Sequence, residues 1–373
     1  WLTGTELHTL GTTIDGWRLT FLINVPIGIG AALLAPATLA ESERHPGTLD
    51  VPGAITGSGG LLALVFGLSR AGNANHGWDD SGTIASLIVG VVLLAAFGFI
   101  ETRQEHPLLP FRIFANRTRA ASFAAMFFMP AAMFSMFFYL SLYVQNVMGY
   151  SPLKTGVSFL PFSFGIVIAA GIASQLISRV DPRFLAGTGT LMAAGALVGF
   201  SRMPHDAAYP VQDLKGEYLT DVLPYILLMA FGMGLTFVPL TLSAVHHVEA
   251  QDSGIGSGVL NTMQQVGGAL GLATLSTVAQ QVWTSTGEKL AEKSEAAMAA
   301  AAQAGQPMPT PDQLEAMKRI AAQQIYTEGA TTGFLVGAAM ILGASLIVWF
   351  LLNVKHEELA TDAAEHPEAG VHI

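Results

Sequence analysis

The sequence predicts an all-α integral membrane protein, on two observations. Nine stretches contain no Asp, Glu, Lys or Arg: 19–40, 51–69, 81–100, 120–147, 155–178, 184–201, 222–245, 253–282 and 330–354. Each is 18 to 30 residues long, and a hydrocarbon layer about 30 Å thick takes about 20 helical residues to cross. The 27 acidic and 17 basic side chains of this 373-residue chain all fall between those stretches. A charge at the bilayer centre costs roughly 2.5 kcal/mol or more, which gives the segregation its cause. Helices of a soluble protein would carry charge along one face, and strands of a membrane barrel would be short and alternating.

The stretches differ in character. Segment 19–40 follows Trp17-Arg18 and carries Asn24 just before Val25-Pro26. Segments 51–69 and 81–100 form a pair joined by a short polar connector. Segment 120–147 follows the basic cluster Arg112, Arg117 and Arg119 and is rich in Phe and Met. Pro130, Pro161 and Pro239 lie inside spans, and Gly254, Gly256, Gly258, Gly267, Gly268 and Gly271 crowd the eighth. In a membrane such residues permit close helix approach and local kinks. The connector 283–329 reads as two helices, 288–304 and 312–328, broken at 305–311, with Pro311 and Asp312 suited to a first helical turn. Like charges at Lys289 and Lys293, and at Glu288 and Glu292, predict a loosely packed, solvated excursion. The acidic tail 355–373 reads as disordered.

Nine crossings put the termini on opposite sides. With a cytoplasmic C-terminus, the inner connectors carry eight basic residues: Arg44, Arg103, Arg112, Arg117, Arg119, Arg179, Arg183 and Lys355. The short outer connectors carry five, at Arg18, Arg70, Lys154, Arg202 and Lys215. The positive-inside rule favours that orientation.

Several functions are excluded. Without cysteine there is neither a disulfide nor a thiolate metal site. A net charge of −10 argues against nucleic-acid binding. No Gly-x-x-x-x-Gly-Lys-Ser/Thr loop is present, so ATP does not drive this chain directly. No Ser/His/Asp constellation stands out, and the chain reads as neither an enzyme nor the holder of a cofactor. His246 and His247 close the seventh span, where a solvated helix end outweighs a pH sensor.

Trp17-Arg18 with Phe21-Leu-Ile-Asn-Val-Pro-Ile-Gly28, His106-Pro-Leu-Leu-Pro-Phe-Arg112, Gly149-Tyr-Ser-Pro152 with Gly156, and Gly254-x-Gly-Ser-Gly258 with Leu260-Asn-Thr-Met-Gln-Gln-Val-Gly-Gly268 occur in that order. Together they resemble the fourteen-span drug:proton antiporter branch of the major facilitator superfamily, over residues 17 to 353. The resemblance implies a major-facilitator-type bundle. In it, 1–18 is an outer loop, 19–40 the last span of the N-terminal half, and 41–118 a linker with two extra spans. Residues 119–354 would be the complete six-span C-terminal half, with 283–329 outside and 355–373 a cytoplasmic tail. It also implies that five spans, holding the proton-handling acid, precede Trp1. Segment 165–183, ending Ser178-Arg-Val-Asp-Pro-Arg183, resembles the C-half copy of the family's cytoplasmic loop motif, with Asp181 in place of a glycine.

Transporter sites form near the midplane between two repeated halves. Phe134, Phe138 and Tyr139 supply soft, flat surface suited to varied apolar molecules, and Gln145 adds a polar end. For the aromatics, packing between helices or facing lipid is the competing account. Asn261 and Gln265 share a helix face, with Gln264 beside them. These three line an aqueous path or serve as interhelical glue, worth roughly 0.6 kcal/mol a bond. Arg179, Asp181 and Arg183 are candidates for a cytoplasmic gate, against plain topology anchoring.

The function expected is export of hydrophobic or amphipathic drugs by proton antiport with alternating access. The partners would be the small-molecule substrate, protons and the lipid bilayer, and the transporter a monomer in a bacterial inner membrane. No carboxylate lies inside a span, so coupling would rest on the missing half. The alternatives are a metabolite uptake permease or facilitator of the same fold, and a non-transporting membrane fragment.

Overall fold

The computed structural model describes residues 7–9, 12–14, 21–38, 50–73, 76–104, 107–203, 216–246, 253–305 and 309–358. A three-residue antiparallel hairpin, β1 (Leu7–Thr9) and β2 (Thr12–Ile14), comes first; every other regular element is helical. The α-helices are α1 (Asn24–Thr38), α2 (Val51–Ala71), α3 (Ser81–Glu101), α4 (Arg117–Asn146), α5 (Pro152–Ser158), α6 (Leu160–Leu176), α7 (Pro182–Phe200), α8 (Leu223–Val245), α9 (Ser253–Gln303) and α10 (Pro311–Leu351). A short 3₁₀ turn, Phe111–Phe114, leads into α4, and a π turn, Tyr218–Val222, leads into α8.

Helix starts follow local chemistry. The Asp50 carboxylate accepts from the Gly53 N–H, and Pro52 sits in the first turn of α2. Asp80 caps α3 by accepting from the Thr83 N–H, and Asn116 caps α4 through the Thr118 and Arg119 N–H groups. Thr310 and Gln313 form a reciprocal capping box on α10.

Among the described residues, seven helical segments are long and apolar enough to cross a membrane: Val51–Ala71, Ser81–Glu101, Arg117–Asn146, Pro152–Leu176, Pro182–Phe200, Tyr218–Val245 and Pro311–Leu351. Two of the nine expected spans fall outside this set. Helix α1 is 15 residues long and buries none of them. Helix α9 is long enough at 51 residues, but the amides of Asn261, Gln264, Gln265, Gln280 and Gln281 dilute its apolar surface.

The six-helix bundle is built from α4, the α5–α6 unit, α7, α8, α9 and α10. Its central core joins Met129, Met136, Tyr139 and Tyr143 of α4 to Phe200 of α7, Met229 and Met233 of α8, and Phe334 of α10. A second cluster at the other end joins Ile113, Phe123 and Met126 to Leu240, Val259 and Val348. Small residues set the helix spacing. A Cβ on Gly232 of α8 would lie 2.6 Å from the Gly189 carbonyl oxygen of α7 and 2.7 Å from the Ala193 nitrogen. With hydrocarbon outside as well as inside, such close van der Waals approach replaces water-driven burial as the adhesive.

The 283–329 segment is helical on both sides of its break, continuous with α9 and α10. Near the bundle it is packed rather than loose: Trp283 meets Tyr326 edge-on with centroids 5.5 Å apart, and Thr286 and Ile320 are buried. Helices α2 and α3 pair with each other, and α2 docks on α9, where the Thr277 hydroxyl donates to the Leu68 carbonyl (2.9 Å).

Candidate functional site

Helices α4 and α9 run side by side in near contact. A Cβ on Gly267 would collide with the Phe127 backbone, and one on Gly271 with Ala131. Beside that seam lies an open flank. On α4 it presents Phe134 and Phe138, 40% and 42% exposed. On α9 it presents Ser257, Gly258, Asn261, Thr262 and Gln265, all exposed on consecutive turns of one face. The Phe134 ring lies against Gly268 of α9. Flat rings and neutral amides without a charge are the side-chain types common in sites for apolar molecules.

The structure thus divides the residues expected to line a cavity. Phe134 and Phe138 on α4 and Asn261 and Gln265 on α9 are all exposed, and of these Phe134 reaches the other helix, at Gly268. Gln264 is half-buried and turns toward Met126, its Nε2 3.9 Å from the sulfur. Gln145 is half-buried, and its amide donates to the Ser141 hydroxyl (2.8 Å) on its own helix. Tyr139 is fully buried in the core, edge-on to Phe138 on one side and to Phe334 on the other. Its hydroxyl oxygen has no hydrogen-bond partner.

At the end where α4 begins, and α6 and α8 end, charged groups gather. Asp181 sits in the turn before α7, and its Oδ1 accepts from the His356 backbone N–H (2.9 Å) and meets the His356 ring Nδ1 at 2.7 Å. That backbone bond first, and the ring bond second, hold the Asp181 carboxyl below the usual carboxylate range. Arg179 is exposed, and Arg183 reaches over the Phe184 ring at 5.7 Å. Among the described residues neither arginine is bonded to an acid, so of the three gate candidates Asp181 is the one engaged.

Sequence reasoning missed two features here. Arg119 was counted as a topology charge, yet it is 9% exposed and donates to the His246 carbonyl (3.0 Å). Its place inside the first turn of an apolar helix was the available signal. His246, expected to be solvated, is 6% exposed, because the chain after α10 folds over it and brings Glu358 to 4.0 Å. His247 lies outside the described residues, as do Trp17, Arg18, Arg44, Lys215 and the tail beyond 358.

A six-helix bundle with glycine-spaced helices, a paired helical annex and a charge-free open flank defines a multi-pass membrane protein of transporter type. The chain belongs to the Major Facilitator Superfamily, whose family model matches residues 6–272. That is a superfamily of transporters, not of enzymes. Among its relatives, a puromycin resistance protein of Streptomyces alboniger is 35% identical over 70% of this chain and 50% of its own length. A tetracenomycin C resistance and export protein of Streptomyces glaucescens is 29% identical over 93% of this chain and 65% of its own. A cephamycin export protein of Amycolatopsis lactamdurans is 33% identical over 74% and 55%. The chain spans about half the length of the curated relatives it matches.

Proposed function

We propose that this chain forms the C-terminal, substrate-facing part of a secondary exporter of hydrophobic or amphipathic small molecules in a bacterial cell membrane, with its C-terminus cytoplasmic. The observation that carries the reading is the α4–α9 flank, where Phe134, Phe138, Asn261 and Gln265 are exposed among the described residues. In a two-half transporter that flank faces the other half across the substrate path. Relatives named for three chemically unlike antibiotics support export as the direction and a permissive surface as the means. Export runs on proton antiport by alternating access, with the two halves rocking as a monomer. The turn at Arg179, Asp181 and Arg183 closes the cytoplasmic side, and Gln264, Gln145 and Tyr139 support the flank from behind.

The test uses the full-length gene in a host lacking its own efflux pumps. Ethidium accumulation falls on expression and recovers when the proton gradient is collapsed. Asn261→Ala and Gln265→Ala reduce export with membrane levels unchanged. Insensitivity to the gradient removes the antiport step, and raised accumulation of a nutrient reverses the direction.

A further inference from the structure

Two carboxyl groups meet at the base of the α2–α3 pair. Asp50, the cap of α2, is 4% exposed; Glu101, the last residue of α3, is 3% exposed. Each has one oxygen accounted for. Asp50 Oδ1 accepts from the Gly53 N–H (2.9 Å) and from Gln104 Nε2 (3.0 Å). Glu101 Oε2 accepts from the Leu109 N–H (2.9 Å). The remaining two oxygens, Asp50 Oδ2 and Glu101 Oε1, are buried and have no hydrogen-bond partner. Both point at the same spot beside Gly53: a Cβ there would collide with Asp50 Oδ2 and lie 2.8 Å from Glu101 Oε1.

Two ionised carboxylates cannot share such a place. A proton held between the two buried groups supplies the donor that both orphan oxygens lack. Among the described residues no ion pair offers a substitute. Among the described residues, the group facing the pair from α2 is Asp50 itself, from α3 Glu101 itself, and from the connector the neutral Gln104 amide and the Leu108 and Leu109 N–H groups. The neighbouring Arg103 turns away over the Phe99 ring, at 4.8 Å. Among the described residues neither carboxyl has an ion-pair partner.

We propose that Asp50 and Glu101 form a proton-binding site. One proton held between Asp50 Oδ2 and Glu101 Oε1 keeps the Gln104 amide and the Leu109 N–H on the helical annex, and its loss releases those two bonds. The consequence reaches the bundle along the chain. Leu109 packs on the second core cluster, and Ile113 at the end of the connector accepts from Arg119 (3.5 Å). Deprotonation sends the proton to water at that membrane face and leaves two buried negative charges, which separate by giving up the Leu109 and Gln104 bonds. The inference depends on neither the substrate nor the direction of transport.

The chain has no cysteine, so Leu109→Cys gives a unique nitroxide site on the connector. In the reconstituted protein, the mobile fraction of that label rises with pH by as much as about tenfold per unit, as one released proton requires. Glu101→Gln, which donates from its amide to Asp50, holds the label immobile at every pH. Infrared spectra at about pH 6, where ordinary carboxyls are ionised, show the carbonyl stretch of a protonated carboxylic acid. That band disappears in both Glu101→Gln and Asp50→Asn. Its absence from the parent protein, its persistence in both variants, or a label whose mobility ignores pH overturns the proposal. Should one variant fail to fold, the other and the parent spectrum still decide.

Discussion

The close passage of α9 over α4 makes a sharp mutational contrast within one helix. At Gly267 an added Cβ would lie 2.7 Å from the Phe127 carbonyl carbon and 2.9 Å from its Cα. Both are backbone atoms, so no rotamer relieves the overlap, and carbon contacts normally settle at about 3.5–4.0 Å. The helices must part by roughly 1 Å, which forfeits a quarter to a half of the dispersion energy along the seam. Overpacking of this kind costs about 1–3 kcal/mol. At Gly258, nine residues earlier, a Cβ would meet nothing within 4 Å. There alanine brings only its better helix propensity, up to about 1 kcal/mol in favour. The same gain applies at Gly267 and cancels, so Gly267→Ala is less stable than Gly258→Ala by the overpacking cost, roughly 1–3 kcal/mol. Unfolding in mixed micelles with rising SDS, followed by tryptophan fluorescence, measures that difference. Equal stability of the two variants would refute the α4–α9 register. A loss of export by Gly258→Ala in the full-length protein, at unchanged stability of this chain, places its face against the other half.

Thr190 and Ser345 meet at 3.0 Å between α7 and α10, both buried, so Thr190→Val lowers stability by roughly 0.6 kcal/mol in the same micelle assay. The Asp181–His356 contact follows a carboxyl held low in the folded state: it is complete above the ordinary carboxylate range and lost as pH falls below it. Limited proteolysis after Lys355 accordingly accelerates in acid, while Asp181→Asn shows the faster cleavage at neutral pH too. Phe138→Ala in the full-length exporter changes the ranking of substrates more than total activity, read from competition between dyes of different size. An unchanged ranking removes Phe138 from the substrate path.

Most of the helix content was legible because one rule dominates: charge is excluded wherever the chain crosses. The rule says where a helix crosses, and it is silent on which side of the helix faces what. Segment 120–147 shows the gap. Phe138 and Tyr139 are adjacent, equally aromatic and equally free of charge, yet one is 42% exposed and the other is fully buried. Only the position of α10, which brings Phe334 and Gly333 against Tyr139, separates them. In a helix that is apolar all round, hydrophobic periodicity carries no phase. The amides of α9 did carry phase, because exposed Asn261 and Gln265 sit one turn apart on a helix whose other faces pack.

The ends of spans were the least legible places, and they hold the most chemistry. Charge counting treats every acid outside a span as solvated, so Asp50 and Glu101 registered only as boundaries. Tertiary packing overrides that reading. Asp50 caps the start of α2 and Glu101 ends α3, and the antiparallel pairing of the two brings start and end together. The connector then covers both carboxyls with the Gln104 amide and the Leu109 N–H. The same logic applies to Arg119, His246 and Asp181, each a boundary residue closed over by chain that is distant in sequence. For a polytopic protein whose spans are free of charge, groups able to respond to pH are therefore to be sought at the rims. There, one side chain from a helix start and one from a helix end can be buried together without either entering the hydrocarbon.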